Sequence, residues 1–205
     1  MRYLLLSSWL LIFMSCTTTH KSTLFPDADI SSLVKFKPDF SLALYNANIE
    51  VVGNHLGGLL LIKKMPDSSI RFVFSNEMGY SFFDFEFAQS GLFKVHSIIK
   101  KLNKKLVIKT LQHDFELVLM NQLNLLHASV RKENEHMIFT FPQAKGFNNY
   151  IMNKEGTELE LMRRTSNKKT LVEAIMKNYT DGIPDTMGIS HKTFEFNIGL
   201  KRIER

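Results

Sequence analysis

Two short runs set the terms on which this chain can fold. Ile70, Phe72 and Phe74 alternate with Arg71, Val73 and Ser75, and Phe83, Phe85 and Phe87 alternate with Phe82, Asp84 and Glu86. A period of two sends successive side chains to opposite sides of a strand, so each run has one apolar face. Only the turn around Asn76–Gly79 separates them, too short for a helical crossover and suited to a hairpin. Such runs predict antiparallel sheet with one buried, aromatic side.

The pattern recurs along the chain. Leu42 and Leu44, then Ala47, Ile49 and Val51, alternate with polar partners, and Gly53-Asn54 marks a turn. Leu56–Met65 reads as an apolar strand in which Gly57-Gly58 predicts a bulge or sharp bend. Pro66–Ser69 is a turn, and Phe93 and Val95 fit one more short strand. Further runs lie at Met137–Phe141, Gly146–Asn153, Glu158–Arg164 and Lys169–Tyr179, and the last alternates through Phe194, Phe196, Ile198 and Leu200. Between Asn103 and Asn121 the period lengthens to about 3.6. There Leu106, Val107, Leu111, Phe115, Val118 and Leu119 share one side, with Lys105, Lys109, Gln112 and Glu116 opposite, as in an amphipathic helix. A helical turn is expected near Ile30–Phe36, capped by Asp29 or Ser31. The expectation is a mainly β chain of about nine antiparallel strands with one or two helices and no internal domain boundary. One central helix cannot cover so many strands. The sheet must curl on itself or leave an apolar groove, which suits acyl chains.

The N-terminus speaks to location. Met1–Cys16 has one early charge, Arg2, an apolar run broken only by Ser7 and Ser8, and Ser15 before the single cysteine of the chain, Cys16. This is the layout of a secretory signal peptide. It resembles a bacterial lipoprotein signal, in which the cysteine after a small residue receives the acyl chains; Phe13 and Met14 depart from the usual Leu and Ala or Ser. The run falls short of the roughly 20 apolar residues of a comfortable transmembrane helix. With one cysteine there is no structural disulfide and no cysteine-based metal site, so Cys16 reads as a lipidation site. The expected division is a signal peptide over 1–15, a lipidated tether and N-terminal segment over 16–40, and a single β domain over 41–205. Without 1–15 the chain has 190 residues, and a hydrophobic content of 44% suffices for one core. The net charge of +6 is modest for this length, and export argues against nucleic acid as partner. Two basic clusters, Lys100, Lys101, Lys104 and Lys105, and Arg163, Arg164, Lys168 and Lys169, read as solvated loops or as contacts to anionic head groups.

Catalytic and metal signatures are lacking. Asp84 and Glu86 share a strand face, where two carboxylates could hold a cation, but an outer solvated face accounts for them. His113-Asp114-Phe115-Glu116 has one histidine where a zinc-enzyme helix needs two four residues apart, so a structural role is expected. The segment from Gly53 to Gly58 lacks the Lys and Ser/Thr of a phosphate loop, and no Gly-x-Ser-x-Gly elbow occurs. The reading is a protein that is not an enzyme, with no cofactor, no metal and no catalytic residue.

The stretches Gly58-Leu-Leu-Leu-Ile-Lys63, Arg71-Phe-Val-Phe-Ser-Asn-Glu-Met-Gly79 and Phe82-Phe-Asp-Phe-Glu-Phe87 resemble the small envelope lipoproteins of Bacteroidota. Those in turn resemble the LolA/LolB lipoprotein carriers in architecture. The resemblance spans Ser41 to about Leu200. It implies an open, strongly curved antiparallel half-barrel closed by helices over an apolar concave face; no LolB functional residue aligns with a position here. The function expected on this basis is binding of lipid or lipoprotein acyl chains in the half-barrel groove, as carrier or acceptor. Phe72, Phe74, Phe83, Phe85, Leu111 and Phe115 are the candidate ligand-binding residues. The alternative is a structural or protein-interaction lipoprotein with a self-filled barrel. The partners would be the membrane, through acyl chains on Cys16, and a lipid or lipoprotein ligand. Thr17, where inner-membrane lipoproteins of enterobacteria carry Asp, and the absence of acidic residues over Thr17–Leu24 imply the outer membrane, periplasmic side.

Overall fold

The computed structural model describes residues 30–203, apart from 52, 122 and 124–126, together with Thr23 and Leu24. Met1–Cys16, and with it the expected lipidation at Cys16, lies outside the described residues, as does Asp29. The alternating runs become strands β2 (Leu42–Val51), β3 (Asn54–Lys64), β4 (Ile70–Ser75), β5 (Ser81–Phe87) and β6 (Phe93–Ile98), and the 3.6-period segment becomes helix α2 (Lys105–Leu119). After the helix come β7 (Ser129–Glu133), β8 (His136–Pro142), β9 (Phe147–Asn153), β10 (Leu159–Thr165), β11 (Thr170–Thr180), β12 (Ile183–His191) and β13 (Phe196–Arg202). Two small elements precede them, strand β1 (Thr23–Leu24) and helix α1 (Ser31–Val34).

All strands join one antiparallel sheet in the order β1-β7-β8-β9-β10-β11-β12-β13-β2-β3-β4-β5-β6. Two meanders, β2–β6 and β7–β13, are thus welded where the last strand pairs with the second, from Phe196 opposite Val51 to Arg202 opposite Tyr45. Each meander obeys the short-connection rule for antiparallel neighbours, and the long connection between the two meanders, through α2, carries the chain across the inner face. Register shifts at Asp84/Phe85, Phe74/Ser75, Leu159/Leu161 and Arg164/Thr165 supply the extra local twist that lets so wide a sheet curl.

The sheet has thirteen strands among the described residues against an expectation of about nine; ten fall on the runs named above. The other three lacked a sequence signal for physical reasons. Strand β12 contains Pro184 and Gly188, both strand breakers on local evidence; β7 reads Ser-Val-Arg-Lys-Glu, with one buried apolar residue; β1 has two residues. Thr23 and Leu24, at the end of the polar stretch read as tether, pair with Lys132 and Arg131. The phase of β2 also differs from expectation. Ala43, Tyr45, Ala47, Ile49 and Val51 face the core, whereas Leu42 is 56% exposed on the outer face. A strand apolar on both faces leaves its phase to its neighbours. Gly57-Gly58 makes no bulge, since β2–β3 pairing runs unbroken from Leu42/Lys63 to Val51/Asn54. Gly58 is needed for another reason: a Cβ there would lie 2.1 Å from the Ser75 carbonyl oxygen, where β4 leaves the sheet. In α1 the N-cap is Ile30, without a side-chain cap, so Ser31 does not play that part.

Candidate functional site

The inner face of the sheet under α2 is built from the predicted residues. Antiparallel register sets Phe72 opposite Phe85 and Phe74 opposite Phe83 on the same face. All four have no measurable exposure, and Leu111 and Phe115 of α2 are 2% and 1% exposed. Phe115 stacks on Phe72 at 4.5 Å between ring centroids and meets Phe87 edge-on at 6.3 Å. Phe83 and Phe85 stack at 4.5 Å, and Phe93 closes the cluster edge-on at 5.2 Å from Phe85. Offset and edge-to-face pairs of this kind add about 0.5–1.5 kcal/mol each beyond burial of area. The six candidates therefore converge, and they fill the space between sheet and helix with their own rings. An acyl chain would enter this layer by displacing α2.

The other half of the inner face has a different chemistry. Met152, Met162, Met176 and Met187 are buried there beside Phe139, Phe141 and Tyr150. Unbranched thioethers adapt to irregular shapes better than branched chains do. The sequence reading did not single out these methionines, although each lies in alternating register on its strand. A cleft of about 280 Å³ reaches the inner layer at the C-terminal end of α2. Phe40, Ile70, Phe87 and Leu119 line it, with Lys37 and Lys64 at its rim.

A polar row crosses the inner face at the opposite end. Phe141, Asn148, Arg164, Val172 and His191 are consecutive cross-strand partners from β8 to β12. Asp114 descends from α2 onto this row, and its carboxylate receives His191 Nε2 at 2.8 and 3.0 Å. Both side chains are buried, and Phe194 and Phe196 flank the imidazole at 4.7 and 5.0 Å between ring centroids. Burial pushes the Asp114 carboxyl above the ordinary aspartate value; the His191 hydrogen bond and charge and Arg164 pull it only part of the way back. Glu116, buried as well, goes the other way. Burial raises it, but hydrogen bonds from His113 and Gln112 and the charges of His113 and Arg164 leave its carboxyl below the usual glutamate value. Partial burial lowers Arg164, countered by Glu116 and Asp114. Tyr150 donates its hydroxyl hydrogen to the Leu117 carbonyl at 3.2 Å, tying the last turn of α2 to β9. Asn148 Oδ1 is buried with no hydrogen-bond partner among the described residues.

Two expectations for α2 are corrected. Leu106, assigned to the apolar side, is 72% exposed, and Glu116, assigned to the polar side, is buried. The helix is buried on two flanks over its second half, so a two-sided wheel misplaces residues near the boundary. The cluster is a latch in a closed interior, with its polar groups turned on one another. On the outer face, Arg71 meets Asp84 through two bonds of 2.8 and 2.6 Å, and His96 meets Glu86. The two carboxylates are thus each taken up by a side chain of the neighbouring strand. Of the basic clusters, Arg163 is paired to Glu173 outside while Arg164 points into the core row. Among the described residues no group of three or more His, Cys, Asp and Glu could hold a metal.

Among solved structures the chain is similar to a LolA superfamily protein from Nitrosomonas europaea, with TM-score 0.50 and 7% identity over 85% of this chain and 90% of that one. The fold is LolA-like. Weaker likenesses, on which nothing further rests, are to a domain assigned to outer membrane lipoprotein sorting from Vibrio parahaemolyticus (TM-score 0.48, 8% identity, 88% and 92% covered) and a DUF1329 family protein from Desulfovibrio piger (TM-score 0.44, 10% identity, 85% and 88% covered). No protein-family model matches the sequence, and no curated protein does.

Proposed function

We propose that this protein is an outer-membrane lipoprotein, anchored through Cys16 and facing the periplasm, that carries or accepts an acyl chain of a lipid or lipoprotein beneath α2. The supporting observation is the inner face itself: an apolar layer of phenylalanines on β4 and β5 covered by one fifteen-residue helix, with a cleft beside Phe87 and Leu119. Lifting α2 breaks no strand pairing, because the helix lies across the sheet and is not part of its ladder. The chain would enter at the cleft and lie along Phe72, Phe74, Phe83 and Phe85, its cost of entry being the Phe115 stack and part of the polar latch. Neutral acyl burial needs no covalent chemistry, so no catalytic group is invoked. The protein fold shared with a LolA superfamily member agrees with this reading.

Native mass spectrometry of the full chain purified from cells tests it. A co-purifying species of lipid mass, released on activation and competed by a fluorescent sixteen-carbon fatty acid, is the expected result. Bare protein that takes up no probe favours the second reading, an interaction lipoprotein with a permanently filled barrel, for which the complete burial of the Phe72–Phe85 rings speaks. For the anchor, Cys16→Ala should accumulate as unprocessed or mislocalised precursor. A processed mutant that still fractionates with membranes refutes anchoring through Cys16, and protease shaving of intact cells that removes the domain refutes the periplasmic side.

A further inference from the structure

Strand β6 ends the sheet on one side. Its backbone pairs with β5 alone, and the far edge of Phe93–Ile98 makes no backbone hydrogen bond among the described residues. Natural edges are commonly blunted by proline, by shortness, by lysines, by a bulge or by a covering element, because a bare row of N–H and C=O groups templates another strand. This edge is six residues long and has no proline; Lys94 and the register shift opposite Asp84/Phe85 work against pairing with a second copy of itself but do not cover it. Its core-side residues are incompletely covered: Val95 is 36% exposed, and Phe93 and Ile98 are half-buried where Phe83 and Phe85 one strand away are fully buried. The inner face therefore stops one strand short of complete cover. Large exposed apolar residues flank the strand in sequence, Leu92 directly before it at 67% and Leu106 in the first turn of α2 at 72%.

Charge narrows what would fit. From Phe93 to Lys105 the chain carries Lys94, Lys100, Lys101, Lys104 and Lys105 and no acidic residue, while His96 is taken up by Glu86 of β5. All five lysines are exposed, and none forms an ion pair among the described residues. A second copy of β6 would bring its own Lys94 and no carboxylate to meet it. An anionic membrane would match the lysines but offers no alternating apolar side chains to finish the face over Phe93 and Val95. We propose that β6 is a docking edge for an extended acidic polypeptide segment, added as a further strand. Its alternate apolar side chains would cover Phe93 and Val95, and its carboxylates would lie toward Lys94 and the Lys100–Lys105 cluster. Main-chain bonds would supply affinity and the lysines selection and approach rate.

The test uses the full chain and a fluorescein-labelled nine-residue peptide of alternating valine and glutamate, followed by anisotropy and amide hydrogen exchange. Binding is expected, with new protection at residues 93–98, and the valine–lysine counterpart should bind at least about tenfold more weakly. Val95→Pro removes an edge donor and should abolish binding. Since that variant could fail to fold, Lys100→Glu with Lys101→Glu, both on the surface, should weaken binding at least about fivefold and make it less salt-dependent. The proposal is overturned by absence of binding, by protection appearing elsewhere, or by the outward-facing amides of 93–98, those not bonded to β5, being already protected in the free chain. Dimerisation through β6, or binding of phosphatidylglycerol vesicles without binding of the peptide, overturns it too.

Discussion

Asp114 and His191 show how much one buried pair can carry. The carboxylate is 1% exposed and has a single strong partner. Removing one member of such a pair strands the other, at about 3–5 kcal/mol, whereas replacing a charge by a neutral group of the same shape can cost nothing. His191→Ala and Asp114→Ala are therefore expected to lower unfolding free energy by about 3–5 kcal/mol in urea titrations. Asp114→Asn keeps an oxygen for the His191 N–H and sheds a buried charge, and should stay within about 1 kcal/mol of the parent. The two buried carboxyls of α2 respond oppositely to pH. Asp114, raised in the fold, contributes stability that is full below its unfolded value and is lost as pH rises through its folded value. Glu116, lowered in the fold, contributes stability that is full above its unfolded value and is lost as pH falls through its folded one. Below about pH 4.3 the Glu116 contribution is the one that fades, so Glu116→Gln should flatten the acid limb of a stability–pH curve measured by thermal melts. An unchanged acid limb in that variant would show that Glu116 is not held ionised by His113 and Gln112.

At the scale of elements, α2 is attached by its second half. Its first turn exposes Leu106, has no side-chain cap at Lys104 and contains no acidic residue, so among its side chains Val107 is what packs it against the core. From Leu111 onward the helix is gripped by the phenylalanine cluster on one flank and by the His191 and Tyr150 bonds on the other. Phe115→Ala is expected to cost about 3–5 kcal/mol, while Leu106→Ala should stay within about 0.5 kcal/mol, both read by denaturant titration. Equal effects would mean that the amphipathic wheel, and not the observed burial, describes the helix. Hydrogen exchange should find the amides of the first turn opening well before those of the last. A lid that frays at one end and is tied at the other suits entry of a chain beside its bound C-terminal end only if the ties at Leu117 and Asp114 can yield.

On the scale of the whole molecule, the weld between β13 and β2 decides whether there is one domain or two fragments of sheet. Ile203 extends it with an N–H bond to the Leu44 carbonyl at 2.8 Å, and Tyr45 donates its hydroxyl hydrogen to the Pro184 carbonyl at 2.7 Å inside it. Deleting residues 194–205 removes β13 and should abolish a single cooperative melting transition by circular dichroism, because neither meander alone closes an apolar face. A truncated chain that melts cooperatively at the parent temperature would refute the weld as the keystone.

What the sequence determined by itself was whatever repeats locally. Alternation marked ten of the strands, a 3.6 period bounded α2 to within two residues, and Phe72, Phe74, Phe83 and Phe85 were placed on one face because consecutive strands of a hairpin share their phase. The excess of apolar faces over the one helix available to cover them pointed to a sheet that curls or leaves a groove, while the LolA-like half-barrel was what the resemblance implied. Tertiary structure alone decided the rest. Leu42 could point outward because Tyr45, two strands from its bonded partner Pro184, fixed the phase of β2. Strand β12 formed through Pro184 and Gly188 because β11 and β13 flank it on both sides. Asp114 meets His191 across 77 residues, a separation that no periodicity encodes. The same holds for whether the concave face is an open groove or a filled one: pattern gives the number of rings on a face, but only the distance between sheet and helix determines whether space is left between them.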